Sequence, residues 1–408
     1  MNILLCPAKI ILQHQRSEWA FLQRNTPLVF ATCSEHRIDV MNHLGDLFVV
    51  RFYDDFNDNP MVELDLYDYA KCHPVKEVHF LAEVDVLRAA RINDRLGLTH
   101  QSAKEALYFR DKFLMKSLVQ QYQVAIPEMA LVKNATDIAL FIETHGYPSV
   151  IKPTDGRGSQ NVVVIRNDNQ LKACLQMITP LHFHNLLIER FIEGHAYQIN
   201  GLYLCGRPIF ISASRANVSC LDFLSGESLG LVMECNSYLL QQLTGYTRYL
   251  LEEIFPTPND TLFHLEVFVD KSQHIIFGEL ACRLGGCFVN EELGAAFGLD
   301  PRMTWLDARL NQHYPENLTQ RSPLRLVGQL NVPPQNGTLV AIPQECPFPF
   351  VLKYRVTGVV GQHYDAMKFT NGEVVSAIVE GRDSHEVNAN LCYLANWVEE
   401  NTRWTSDI

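Results

Sequence analysis

The stretch Leu262–Gly286, LFHLEVFVDKSQHIIFGELACRLGG, admits few folded forms. Leu265-Glu266-Val267-Phe268-Val269 and Ile275-Ile276-Phe277-Gly278-Glu279-Leu280 read as two apolar strands, joined by a polar loop at Lys271-Ser272-Gln273-His274. An antiparallel hairpin closed on that loop sets Asp270 opposite Ile275, and counting back pair by pair sets Glu266 opposite Glu279. Opposed side chains start about 5 Å apart, and like charges there destabilise a ladder. A hard divalent cation removes the conflict, because two carboxylates holding Mg²⁺ against nucleotide phosphates is a recurrent arrangement for phosphoryl transfer. An acidic surface hairpin is the bland alternative. Arg283 and Gly285-Gly286 follow directly, and the glycines let a ligand approach the backbone closely.

The rest of the chain must supply a scaffold for that hairpin. With 408 residues, 47% of them hydrophobic, it can build roughly two or three domains with proper cores. A net charge of −12 argues against a non-specific nucleic-acid partner. No apolar run reaches the length of a membrane span, and MNILLCPAKIILQHQ lacks a basic leader and a small-residue cleavage site, so it reads as a first strand. Eleven cysteines without a CxxC pair fit buried thiols in a reducing compartment. A cytoplasmic protein with neither disulfide framework nor structural zinc is expected.

Ile3-Leu4-Leu5, Leu28–Ala31, Leu47–Val50 and Val78–Leu81 read as buried strands of a small α/β layer, with no GxGxxG after the first. Glu83–Leu96 is an amphipathic helix. A helical region from Ser102 to Pro127 carries Lys112 and Lys116, four apart; alone, that pair reads as a solvated basic face. Val150-Ile151-Lys152-Pro153 and Val162–Ile165 flank a loop holding Gly156, Gly158 and Ser159. No helix or Gly-Lys-Ser/Thr ending follows, which excludes a Walker loop. A glycine hairpin can instead cover phosphates with Lys152 as a nearby point charge, although an ordinary flexible hairpin has the same sequence. Leu186–Gly194 reads as a strand containing Glu189, followed by antiparallel strands Gln198–Tyr203 and Pro208–Ile211. His182 and His184 lack a third metal ligand at suitable spacing. Residues 212–240 show little pattern but hold Arg215, Glu227 and Glu234. Tyr238–Phe255 is helical, Val289–Gly298 and Pro301–Gln312 are short helices, residues 324–378 are strand-rich, and Ser384 heads a final helix.

Taken in order, Lys112, Lys152, the glycine hairpin, Glu189 and the Glu266/Glu279/Arg283 hairpin resemble the ATP-grasp superfamily, from about residue 80 to the C-terminus. EVDVLRAARINDRLGL, YFRDKFLMKSLVQQYQVAIPE, HLEVFVD, GELACRLGG and AIVEGRDSHEVNANL are most similar to its L-amino-acid ligase and carnosine synthase branch. The resemblance implies an α/β (α+β) ATP-grasp fold, with an N-terminal α/β pre-grasp domain over residues 1–100 and the ATP-grasp region over 101–408. Within that region it implies linker helices at 101–145, a glycine-hairpin lid at 146–205, a catalytic subdomain at 206–320 and a β-rich subdomain at 321–408.

The same resemblance implies ATP and Mg²⁺, with Mn²⁺ as a substitute. Lys112 and Lys152 would contact the nucleotide, with Gly156, Gly158 and Ser159 over the phosphates. Glu189 would accept from the adenine amino group, and backbone near Phe191 and Ile192 would read the ring edge. Glu266 and Glu279 would hold metal, and Arg283 would stabilise charge on the reacting acyl group. Ala196 stands where many members have a glutamate, so ribose recognition must differ, with Glu193 as a substitute. Ala281 stands where many have an asparagine, which the ligase branch often lacks. A third metal carboxylate is left open between Glu227 and Glu234. The implied activity is an ADP-forming ligase joining a small-molecule carboxylate, such as an amino acid, to an amine through an acylphosphate. A carboxylase or formyl transferase of the same superfamily, or a non-catalytic nucleotide-binding protein, are the alternatives. A homodimer is expected on general frequency, and nucleic-acid and membrane partners are not.

Overall fold

The computed structural model describes residues 1–98, 101–178, 185–235, 237–367, 370 and 372–405; His182 and His184 lie outside them. Ile3, Leu4 and Leu5 are all fully buried, as a strand covered on both faces requires. They sit in a parallel sheet ordered Val49–Tyr53, Leu28–Cys33, Asn2–Leu5, Glu77–Phe80. The strand expected at Leu47–Val50 starts only at Val49. Gly45, at φ +61°, ends the helix Arg37–Leu44, and Gly45–Leu47 is spent on a 3-10 turn. The helix expected from Glu83 likewise opens as a 3-10 turn, Glu83–Asp85, before Val86–Arg95. Asn93 of that helix bonds both Val78 N and Val78 O at 2.9 Å, which occupies the free side of the edge strand.

A second sheet, antiparallel, runs Met129–Val132, Leu186–Arg190, Ser149–Pro153, Val163–Ile165. Helices Ala135–His145 and Asp168–Met177 cover it, burying Ile138, Phe141 and Cys174 against Ile151, Ile165 and Ile188. The first helix is started by a reciprocal cap between Asn134 and Asp137.

The largest sheet is antiparallel and ordered Ile275–Ala281, Thr261–Asp270, Gly194–Leu204, Arg207–Ala216, Leu229–Met233, Leu326–Val332, Val375–Gly381, Val351–Val356. It runs unbroken from the central segment into the C-terminal one. Leu265, Val267 and Val269 on one face join Ile199, Ala213, Leu243, Met115 and Val119 in a single core. The alternate residues on the other face are polar and buried: Asn200, Ser212, Ser214 and His264, in line with Gln198 and Glu266. Such a stripe, inside a sheet whose reverse face is apolar, makes this face the candidate site. Among the described residues no helix is long and apolar enough to cross a membrane.

Helix Val289–Phe297 adds Glu292 to this face, and Ser214 Oγ donates to Glu292 Oε1 at 2.8 Å. Burial pushes the Glu292 carboxyl up to about 7, the bond from Ser214 offsetting only part of the effect. The folded protein then keeps a proton that the unfolded chain releases near its ordinary value of 4.5, so stability falls as pH rises from there to about 7. Glu292→Gln is expected to remove that fall. Urea unfolding across the window should show wild type losing about 3 kcal/mol relative to the variant; parallel curves would mean that Glu292 titrates normally.

Candidate functional site

Glu266 faces Glu279 in the hairpin, as the strand pattern predicts, but the register differs at the loop end. Ile275 pairs with Val269 rather than Asp270, and the ladder shifts by one residue at Gly278. Asp270 serves the turn instead, its Oδ1 accepting from Ser272 N and His274 N at 2.8 Å each. The bulge is what restores the pairing. Without it, the register set by Val269 and Ile275 would put Glu279 opposite Leu265, on the apolar face. A Cβ at position 278 would stand 2.7 Å from Glu266 O, so only glycine fits.

The row continues across the sheet from Glu266 to Gln198 and Ser214, and the row beside it holds His264 and Asn200. His264 Nδ1 lies 2.9 Å from Asn200 Oδ1, and its Nε2 lies 3.2 Å from Glu266 Oε1. Gly285 N donates to the same Asn200 oxygen at 2.9 Å, which pins the loop after Arg283 onto the polar stripe. Burial alone would raise the Glu266 carboxyl; the hydrogen bond from His264 and the charges of Arg283 and Lys112 reverse that and hold it at about 2.

Arg283 reaches the N-terminal layer. Its Nε pairs with Glu83, and its Nη1 donates to Leu284 O at 2.8 Å. Arg110 Nη1 donates to the other Glu83 oxygen at 2.7 Å, and Arg110 Nη2 to Asp155 O at 2.6 Å. Against its burial, the two guanidiniums draw the Glu83 carboxyl down to about 2.

The helix Lys112–Gln120 is capped by Asp111, which accepts from Phe113 N and Leu114 N at 2.9 Å. Its two lysines are not a solvated face. Lys112 is 6% exposed and Lys116 1%. Lys112 Nζ donates to Gly156 O at 2.7 Å and to Glu279 Oε1 at 3.1 Å. Lys116 pairs with one oxygen of Glu189 and Lys152 with the other. These carboxylates come from two different sheets, so no pattern local to the helix could show them. Burial lowers Lys116 to about 8 even with Glu189 beside it, while Glu189, though buried, is drawn to about 2 by Lys116 and Lys152. Removing one partner of a buried ion pair typically costs about 3–5 kcal/mol. Glu189→Gln, which strands two ammonium groups together, is expected to lose that much in urea unfolding; a loss under about 1 kcal/mol would mean that the lysines are solvated.

The glycine hairpin joins Ser149–Pro153 to Val163–Ile165, with Gly158 at φ +55° and Ser159 at φ +59° near its tip. Lys112 holds it on one side, and Thr370 N donates to Gly158 O at 3.2 Å on another. The strand containing Glu189 ends at Arg190, earlier than the apolar pattern implies. Phe191 N donates to Pro148 O at 3.1 Å, and Ile192 follows outside the strand. Glu193 is exposed, 3.6 Å from Lys271. Glu234 accepts from Tyr197 OH at 3.4 Å, and Glu227 is exposed.

The structure thus gathers Lys112, Lys152, Gly156, Glu189, Glu266, Glu279 and Arg283, and adds Glu83, Arg110, Lys116, His264 and Asn200. His264 shares the face of Glu266 by strand alternation, so parity alone could have found it. Glu83 gives no local signal. The facing carboxylates suit a hard divalent cation: both offer oxygen, Glu266 is held ionised, and Lys112 already supplies one positive charge at Glu279.

The glycine hairpin bonded to Lys112, the lysine pair on Glu189 and the two facing carboxylates sit on a chain that has the ATP-grasp fold. Residues 145–291 match the ATP-grasp domain family. Among curated proteins the chain is similar to an L-arginine-specific L-amino acid ligase of Bacillus subtilis, 22% identical over 295 residues, which span 71% of this chain and 70% of that one. A shorter match, 32% over 100 residues, links it to a D-alanine--D-alanine ligase of Neisseria meningitidis serogroup A, covering 24% of this chain and 32% of that protein. Among solved structures it superposes on an L-amino acid ligase from Bacillus licheniformis with a TM-score of 0.75 at 16% identity, over 100% of this chain and 99% of that one.

Proposed function

We propose that this protein is an ADP-forming ligase that joins the carboxylate of an amino acid, or a similar small molecule, to an amine. The observation that carries the reading is the facing pair Glu266 and Glu279, set on a buried polar stripe with Arg283 four residues beyond. The similarity to amino acid ligases supports the choice of substrate class.

Lys112 and Lys152 bind the phosphates of ATP, exchanging part of their pairing with Glu279 and Glu189 for phosphate oxygens, and Gly156, Gly158 and Ser159 lie over them. Glu189, relieved of an ammonium, accepts from the adenine amino group, with the Phe191 and Ile192 backbone along the ring. Glu193 stands in for the ribose glutamate. Glu266 and Glu279 would hold Mg²⁺, or Mn²⁺ in its place, which would supply positive charge against the phosphates. A substrate carboxylate oxygen attacks the γ-phosphorus, ADP leaves and an acylphosphate forms. The amine then attacks the acyl carbon, gives up a proton, and phosphate departs with the electron pair of the broken bond. Arg283 stabilises the oxyanion between these events. The use of ATP supports a cytosolic setting for this chemistry.

The test is release of ADP and phosphate from Mg-ATP against amino acids offered singly and in pairs, with mass spectrometry of the mixtures. Release that depends on a pair, with a condensed product, is expected. Release driven by bicarbonate or formate without an amino acid would select a carboxylase or formyl transferase. ATP binding without substrate-dependent hydrolysis would overturn the ligase reading.

A further inference from the structure

In the N-terminal layer the described residues hold a group of mixed metal donors that the reaction above does not use. Cys33, Glu35 and His36 each offer one ligand atom, and these atoms all lie within 4.8 Å of one another. One turn of backbone brings them together. The strand Leu28–Cys33 ends in the 3-10 turn Ser34–His36, which closes as Arg37 N donates to Ser34 O, so the chain doubles back beside its own last strand residue. The turn is fastened at its start. Cys33 pairs with Tyr53 on the neighbouring strand and packs against the cores on both faces of the sheet, and Ser34 Oγ donates to Asp54 Oδ1. Asp54 is itself held, its carbonyl accepting from Asn59 Nδ2 at 2.7 Å.

A thiol, an imidazole and a carboxylate make a borderline-soft donor set. Mg²⁺ and Ca²⁺ take oxygen ligands, whereas Zn²⁺ accepts sulfur, nitrogen and oxygen together in a tetrahedron. Three protein ligands leave its fourth position to water. The donors are open to it. Glu35 and His36 are exposed, and neither the Cys33 thiol nor the Glu35 carboxylate makes a hydrogen bond or ion pair among the described residues. Asp39 Oδ2 stands 3.8 Å from His36 Nδ1, on the side where an outer carboxylate orients a metal-binding imidazole, and that leaves Nε2 for the metal. The adjacent cation, Arg37, lies over the ring of Phe52, 4.7 Å from its centroid.

We propose that Cys33, Glu35 and His36 form a Zn²⁺ site, built on residues separate from the nucleotide site and independent of the ligase reading. On binding, the thiol proton of Cys33 passes to water, the thiolate, imidazole and carboxylate take the metal, and the turn closes as a chelate with water in the fourth position. No CxxC pair announces such a site, because its three ligands fall within four consecutive residues and the turn supplies the geometry.

The experiment uses the full chain, freed of metal with a chelator and kept in excess Mg²⁺ so that carboxylate-only sites are occupied. Co²⁺, a spectroscopic substitute for Zn²⁺, is then titrated in. A single equivalent is expected to give the thiolate-to-cobalt charge-transfer band in the near ultraviolet and the strong visible absorption of a tetrahedral ion, and added Zn²⁺ should bleach both. Cys33→Ser should abolish the band. Cys33 is half-buried and its replacement can disturb the sheet, so His36→Gln and Glu35→Gln, at exposed positions, test the site without that risk. Each should weaken Zn²⁺ binding at least ~10-fold, read by competition with a chromophoric chelator. Cys72→Ser and Cys392→Ser, which remove exposed thiols elsewhere, should leave band and affinity unchanged. Absence of the band in wild type, its survival in Cys33→Ser, or wild-type Zn²⁺ affinity in either His36→Gln or Glu35→Gln would overturn the assignment.

Discussion

Arg283→Ala is expected to bind ATP as wild type does and to turn over about 10²- to 10³-fold more slowly, the typical effect of removing one preorganised donor from a developing oxyanion. The structure explains why the loss should fall on turnover. Arg283 is anchored through Nε to Glu83 and through Nη1 to Leu284 O, so the guanidinium is fixed before substrate arrives. It is not bonded to the lysines or to Glu189, where the nucleotide is proposed to sit. Glu83 keeps Arg110 when Arg283 is gone, so the substitution does not strand a buried carboxylate. Equilibrium binding of a fluorescent ATP analogue and single-turnover ADP formation separate the two quantities. Equal loss in both would show that Arg283 only holds the site together.

That Arg283, Glu266 and Glu279 were legible before the fold was known follows from locality. All three lie within one hairpin and the loop after it, and strand alternation has period two, so a short count of residues fixes which side chains share a face. The count reached the right pair through the wrong turn, because a bulge and a longer loop cancel in the sum. The parallel N-terminal sheet and the glycine hairpin were legible for the same local reason. The burial of Lys112 and Lys116 was not. A helix shows only its own spacing, and the carboxylates that neutralise these lysines arrive from Glu189 and Glu279, on strands far along the chain. Glu83 is hidden in the same way, since Arg283, which gives it its meaning, lies 200 residues further along the chain.

The bulge gives the second large effect. In Gly278→Ala or Gly278→Val the new Cβ would stand 2.7 Å from Glu266 O and 3.3 Å from the Phe268 ring, and a backbone oxygen inside a ladder cannot give way cheaply. The hairpin has two exits, and both separate the carboxylates. It can splay, which breaks the ladder beside Glu266, or it can lose the bulge, which turns Glu279 onto the face of Leu265 and Val267 and buries a charge in an apolar core. Either way the expected cost is about 2–4 kcal/mol in urea unfolding. Mn²⁺ binding, read by electron paramagnetic resonance, should be lost along with metal-dependent ADP release. Gly245→Ala, where the added methyl meets nothing within 4 Å on the helix Tyr238–Tyr249, is the matched control and should be neutral or slightly stabilising. If Gly278→Ala instead kept wild-type stability and Mn²⁺ affinity, the opposition of Glu266 and Glu279 would not depend on the bulge, and the metal site would have to be built on other residues.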